Sequence, residues 1–300
     1  MSSTLKNIVI VGASGVLGNA VLSTLLSNPF FVVTVLSRPD SKATFPSAAK
    51  VIKLDYHSKD ALVFALRGQD AVISCLGFDG LNENLDQTLI EASIAAGVKR
   101  FLPSEFSANT FHDTVVNLPV YTSKVAIHKV LEDHKDQISY TYVFTGGFLD
   151  WGFRNGFLGF DIKNRSVILY DDGKYRASGT TLQHIGEAIK GILLHPEETR
   201  NRPVYLADAT FSQKEALALF EKYTGTKWTI MNKTTEEALK SGLDALAKGD
   251  YINGYGNIIM SFNWGGKGAV IFDNNDMTLL DVKPLGLEKI IKDAVEEFTK

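Results

Sequence analysis

Residues 8–18 read Ile-Val-Ile-Val-Gly-Ala-Ser-Gly-Val-Leu-Gly, and this stretch restricts the fold more than any other. The β-branched run predicts a strand buried on both faces, as in a parallel sheet. Gly12, Gly15 and Gly18 break it, and Leu17, Val21, Thr24 and Leu25 then recur on one face of a helix. Glycines at such a turn let the backbone approach a pyrophosphate, and the helix N-terminus offers free N–H groups and a favourable dipole. Gly12, Ser14, Gly15, Val16, Leu17 and Gly18 are therefore the expected phosphate contacts of a dinucleotide site. The spacing is Gly-x-x-Gly-x-x-Gly rather than the usual Gly-x-Gly-x-x-Gly. The plain alternative is a turn that needs only positive φ.

Phe30 to Ser37 predicts a second buried strand, ending in Arg38. An acidic residue about 20 positions beyond the glycines would bond the ribose 2′-hydroxyl of NAD. Here Ser37 and Arg38 stand there instead, with Lys42 close behind and no carboxylate before Asp40. A guanidinium suits a 2′-phosphate, so NADP(H) is the expected cofactor, a solvated strand-end arginine being the alternative. Val51–Leu54 is a short third strand. Asp55 and Tyr56 follow it, Asp55 either against the adenine or capping the next helix, which Ser58 begins. Asp70–Leu76 is the fourth strand. Leu76, Gly77 and Phe78 lie at its carboxyl end, where ligands bind in such sheets.

Net charge is −3 over 300 residues, which argues against a nucleic-acid or membrane surface. Cys75 is the only cysteine and reads as a small buried hydrophobe in a reducing, cytoplasmic setting. No apolar leader or membrane-length apolar run is visible. The histidines form no metal-binding spacing, and a Gly-x-Ser-x-Gly elbow is absent. No metal is expected, and the expected partner is a small-molecule substrate.

Leu85, Leu89, Ala92 and Ala96 stripe a helix closed by Gly97, and residues 98–106 continue Val-Lys-Arg-Phe-Leu-Pro-Ser-Glu-Phe. A strand thus enters a Pro-Ser-Glu turn at the same sheet edge as the glycines. With Asp86-Gln87, the Lys124–Glu132 helix, the Tyr140–Phe144 strand, Gly147-Phe148, Thr180-Thr181 and residues 195–201, this resembles the isoflavone reductase and phenylcoumaran benzylic ether reductase group. That group lies within the NmrA-like atypical short-chain reductases, and the likeness, to fungal members in particular, covers about residues 5–230. Ser107 and His128-Lys129 depart from the plant pattern, so plant substrates do not transfer.

The resemblance implies a Rossmann-type α/β fold: a doubly wound parallel sheet with a smaller C-terminal substrate-binding region. Residues 1–150 would bind NADP(H) and 151–300 the substrate, with elements interleaved near 180–210. It implies an NADPH-dependent reductase of a small, aromatic or phenolic molecule, with Lys124 handling the proton. Lys124 also lies at the edge of an apolar helix face, where an amine's pKa can fall, snorkelling being the alternative. Gln87, Ser104, Glu105, Gly147 and Phe148 are expected near the cofactor. Phe106, Tyr121, Trp151 and Phe153 are expected at the substrate pocket, Tyr121 as wall or packing residue. A redox-sensing regulator that binds NADP(H) without turnover is the competing reading.

Residues 146–160 are rich in glycine and aromatics and read either as a loop roofing the nicotinamide or as a hydrophobic cluster. Val167–Tyr170 predicts a strand and Asp171-Asp172-Gly173 a hairpin-like turn. Thr180-x-x-Gln183, Ser212-x-x-Glu215 and Thr234-x-x-Glu237 predict capping boxes. Asn253–Gly268 predicts a second pocket-lining loop, and Leu287–Phe298 a terminal amphipathic helix.

Overall fold

The computed structural model describes residues 5–298. In its first half the strands are β1 (Asn7–Val11), β2 (Val32–Ser37), β3 (Lys50–Lys53), β4 (Ala71–Ser74), β5 (Arg100–Leu102) and β6 (Ser139–Phe144). Between them run α1 (Val16–Leu26), α2 (Lys59–Leu66), α3 (Phe78–Asn82), α4 (Leu85–Ala96) and α5 (Thr122–Asp133). The second half adds β7 (Gly147–Phe148), α6 (Leu149–Arg154), β8 (Phe160–Asp161), β9 (Ser166–Tyr170), β10 (Arg176–Thr180) and α7 (Leu182–Leu194). It continues with β11 (Arg202–Tyr205), β12 (Ala209–Ser212), α8 (Gln213–Thr224), β13 (Thr229–Lys233), α9 (Thr235–Ala247), α10 (Tyr251–Asn263) and α11 (Leu287–Phe298).

Seven strands form one parallel sheet in the order β11-β6-β5-β4-β1-β2-β3. This is the doubly wound arrangement, and it reverses direction between β1 and β4. The period of two in β1 divides its side chains between two cores. Ile8 and Ile10 pack with Leu17, Val21 and Ile189 on one face, Val9 and Val11 with Leu62, Leu89 and Leu131 on the other. All four are fully buried, which is why the run has no polar alternation. β3 closes the sheet as an exposed edge guarded by Lys50 and Lys53.

Helix α7 and strand β11 return from the second half to this sheet, so the C-terminal region is not one continuous segment. That region has its own aromatic core and two three-stranded sheets, β12-β10-β7 and β13-β9-β8. No described helix is long and apolar enough to cross a membrane.

Of the two readings of residues 146–160 the hydrophobic cluster holds: the segment is ordered as β7, α6 and the start of β8, with Phe153 and Phe160 drawn into the core against Phe220. Three local expectations change. Residues 253–263 form most of α10 rather than a loop. Gly254 serves helix packing, since a Cβ there would stand 2.4 Å from Leu246 Cδ2 of α9. The Asp171–Gly173 segment is a 3₁₀ turn between strands of different sheets, so it joins no hairpin. The cap of α7 is Thr181, which accepts from the His184 N–H, while Thr180 ends β10 and donates to the Thr145 carbonyl. The boxes at Ser212 and Thr234 form as expected.

Candidate functional site

At the carboxyl ends of β1, β2 and β4 lies a cleft of about 990 Å³. Its floor is the glycine turn. Gly12 has φ +80°, and a Cβ there would stand 2.4 Å from the Cys75 carbonyl oxygen. A Cβ on Gly18 would lie 2.2 Å from the Gly12 carbonyl oxygen. Gly15 meets no such obstacle: its nearest neighbour would be the Gly12 oxygen at 3.4 Å, and it faces the cleft. The fold therefore demands Gly12 and Gly18, while at Gly15 the missing side chain leaves space above the N-terminus of α1. No side chain caps that terminus. Open backbone, uncapped N–H groups and the helix dipole together fit a pyrophosphate.

One end of the cleft is lined by Ser37, Arg38, Asp55 and Tyr56. Arg38 is exposed and only loosely paired, its Nε 3.9 Å from Asp40 Oδ1, so its guanidinium is free to meet a phosphate. Burial pushes the Tyr56 phenol up to about 12, and its hydroxyl donates to the Leu36 carbonyl at 2.8 Å. Asp55 accepts the His57 N–H at 2.9 Å, tightening the turn before Ser58, which caps α2. Leu76, Gly77 and Phe78 form the other wall, joined by Tyr251, Ile252 and Tyr255 from α10. Phe78 and Tyr255 touch across it, ring centroids 4.7 Å apart.

Lys124 stands at the start of α5 with only 8% of its surface exposed. Its Nζ donates to the Glu105 carbonyl at 2.5 Å. Burial drives the amine's pKa down, and the nearby Glu105 and Asp86 carboxylates pull it part of the way back. The Glu105 carboxylate turns away, accepting from Thr110 Oγ1 at 2.9 Å and meeting His128 Nε2 at 2.8 Å. Phe111 stacks on that imidazole at 4.1 Å. Ser104 donates from its hydroxyl to the Leu76 carbonyl at 2.8 Å and from its N–H to Asp86 at 3.1 Å.

The cleft thus gathers Gly12, Ser14, Gly15, Ser37, Arg38, Asp55, Tyr56, Leu76, Gly77 and Phe78. Val16, Leu17 and Gly18 follow in α1, outside the cleft's lining. Lys42 is exposed beside the cleft without lining it. Gln87 faces outward, donates to Glu91 and lies outside the cleft's lining; its neighbour Asp86 takes the buried position. The Glu105 carboxylate is engaged by Thr110 and His128. Phe106 and Phe153 are core residues, buried among apolar neighbours in two different cores. Tyr121 is 2% exposed and packs on Phe262, which makes it a packing residue rather than a wall. Trp151 is half-buried against Phe157, and Trp151, Gly147, Phe148, Ser104 and Lys124 lie outside the open cleft's lining.

Tyr251 and Ile252 went unread in the sequence; Tyr255 lay in the stretch expected to line a pocket, and Asp86 was read only as part of the Asp86-Gln87 pair, not as a site residue. Asp86 had a signal, a carboxylate on the inward stripe of α4 beside Leu85, Leu89 and Ile90. Tyr251 and Ile252 had none, because nothing local says which strand edge that helix crosses. Among the described residues no group of acidic, histidine or cysteine side chains could hold a metal ion.

A model described as the NmrA-like family matches residues 4–270. Oxidoreductase aprR of Aspergillus flavus is 35% identical over 249 residues, covering 82% of this chain and 83% of that protein. A solved structure titled AtPrR2 with NADP+ and (+)pinoresinol superposes with a TM-score of 0.80 at 21% identity, covering 98% and 100% of the two chains. The leucoanthocyanidin reductase–NADPH complex from Vitis vinifera gives 0.77 at 19% identity, with 97% and 99% covered. At these identities the two structures speak for the fold.

Proposed function

The chain belongs to the NmrA-like family, and from that membership we propose that it is an NADP(H)-dependent oxidoreductase reducing a small aromatic or phenolic molecule. A relative named as an oxidoreductase and similarly folded proteins solved with NADP+ or NADPH support the reading. The glycine turn and Arg38 fit that cofactor independently. When bound, NADPH supplies the hydride of a two-electron reduction.

The residues divide the remaining work. Gly15 and the first turn of α1 hold the pyrophosphate, and Arg38 reads the 2′-phosphate. Tyr56 and Asp55 shape the adenine end. The aromatic wall of Phe78, Tyr251 and Tyr255 offers flat apolar surface. Lys124 holds the proton at Nζ. Its burial lowers the amine's pKa and the Glu105 carbonyl orients it, so it parts with its proton more readily than an exposed lysine does. The observation that carries the reading is this lysine, buried at the carboxyl edge of a dinucleotide-type sheet and anchored by a backbone carbonyl.

The test is NADPH oxidation in the presence of a panel of phenols and quinones. Steady turnover with at least one member is expected. Saturable NADPH binding with no turnover on any member would overturn the enzyme reading in favour of a redox sensor.

A further inference from the structure

Asp86 is 2% exposed, on the inward face of α4. A carboxylate taken that far from water needs compensation, and its own hydrogen bonds are incomplete. Oδ2 accepts the Ser104 N–H at 3.1 Å. Oδ1 and the neighbouring Ser74 hydroxyl have no well-formed hydrogen bond. Burial pushes the acid's pKa up, and the Ser74 hydroxyl, the Ser104 N–H and the Lys124 ammonium each draw it part of the way back.

The next residue along is held from the other side. Lys124 Nζ donates to the Glu105 carbonyl, so an acid from α4 and a base from α5 grip adjacent residues of one turn. Each charge acts on the other: Asp86 favours the ammonium of Lys124, and Lys124 favours the carboxylate of Asp86. The other titratable groups facing this pair are Glu105, committed to Thr110 and His128, and Cys75, whose thiol burial keeps neutral. Glu105 opposes ionisation of Asp86, and Asp86 opposes ionisation of Cys75. The turn itself reaches the cleft, because Ser104 Oγ donates to the carbonyl of cleft-lining Leu76.

We propose that Asp86 is a positioning residue for the reductase reaction. It holds the Ser104–Glu105 turn on which Lys124 is seated and supplies the buried counter-charge of the Lys124 ammonium. This rests on Lys124 being the proton-handling group. The proposal predicts a device in which the acid on α4 sets how readily the base on α5 parts with its proton.

The test needs no substrate. Protein carrying carbon-13 at the lysine ε position is titrated by NMR, the Lys124 signal being the one lost in Lys124→Met. Asp86→Asn keeps the side chain's size and an oxygen for the Ser104 N–H while removing the charge. Its Lys124 midpoint is expected to fall by about one pH unit or more, a tenfold loss of proton affinity, with other lysines unmoved. An unchanged midpoint would overturn the proposal, since Asp86 would then be uncharged or electrostatically remote. If Asp86→Asn is too unstable for spectra, a double-mutant cycle in urea decides. Asp86→Asn/Lys124→Met should be more stable than Asp86→Asn alone, because the uncompensated charge has gone. Strictly additive losses would overturn the proposal. A failure of the catalytic reading would show separately, as Lys124→Ala turning over normally while the NMR shift persists.

Discussion

Gly12 lies directly against Cys75, so close that a Cβ on the glycine would stand 2.4 Å from the cysteine's carbonyl oxygen. The residue that follows strand β4 thereby moulds the turn that ends β1. Gly15, in the same turn, is under no such constraint.

Gly12→Ala and Gly15→Ala should therefore fail in different ways. At Gly12 the strained positive φ costs about 1–3 kcal/mol, and the clash costs about as much again, so the melting temperature should drop sharply. Gly15→Ala should stay within about 0.5 kcal/mol of wild-type stability yet bind NADPH at least tenfold more weakly. Thermal melts paired with NADPH titrations check both. Wild-type NADPH affinity in Gly15→Ala would remove the pyrophosphate from this turn.

Arg38→Ala should weaken NADPH far more than NADH. A charge-assisted contact is worth about 1.5–3 kcal/mol, which is one to two decades at about 1.4 kcal/mol per decade. Calorimetric titration with both cofactors measures the difference. Equal losses for the two would mean that Arg38 does not read the 2′-phosphate.

Lys124→Ala should lower kcat by about 10²–10⁴-fold with little change in NADPH affinity. Lys124→Arg should not rescue it, because a guanidinium keeps its proton at any working pH. Steady-state kinetics on a substrate found by screening, with NADPH titration of the same variants, decides. Near-normal turnover in the alanine variant would end the proton-handling role.

Asp208 ties three segments together. It accepts from the Thr181 N–H and hydroxyl at 2.8 Å and from the Leu285 N–H at 3.0 Å, and it meets His184 Nδ1 at 2.6 Å. That hydrogen bond raises the His184 pKa above the ordinary imidazole value. Burial works to raise Asp208, but His184 and the N–H groups outweigh it and leave the carboxyl low. The His184 contribution is complete below the ordinary imidazole pKa and is lost as pH rises through the raised one. The Asp208 contribution is held above the ordinary carboxylate pKa and lost as pH falls through the lowered one. His184→Gln should thus cost more in urea midpoint at mildly acidic than at alkaline pH. The same cost at both would show that His184 carries no charge in the fold.

Phe153→Ala should destabilise by about 3–5 kcal/mol, the usual cost of deleting a buried phenyl ring. Phe153 packs on Phe160 and Phe220 away from the cleft. Any variant that folds should keep its KM, which urea unfolding and kinetics together will show. A selective rise in KM would return Phe153 to the substrate pocket.

The parallel sheet, the glycine turn and Arg38 at the second strand's end were legible in the residues because each depends on neighbours in sequence. An unbroken β-branched run has nowhere to go but a sheet covered on both faces, and a glycine turn before a helix makes its anion site from local backbone alone. The same locality made Ser58, Ser212 and Thr234 readable as caps. Side-chain direction at the site was not legible. Glu105 and Lys124 sit in the motifs where they were expected, yet which way the carboxylate turns depends on Thr110 and His128, brought in from a separate loop and from α5. Phe153 and Tyr255 are both aromatic and both buried in the same core. Only the crossing of α10 at the strand edge also brings Tyr255 to the cleft wall. Sequence alone determined what depends on hydrogen bonds and sterics within a few residues. Tertiary structure decided which buried faces meet, because burial is shared between segments that share no local signal.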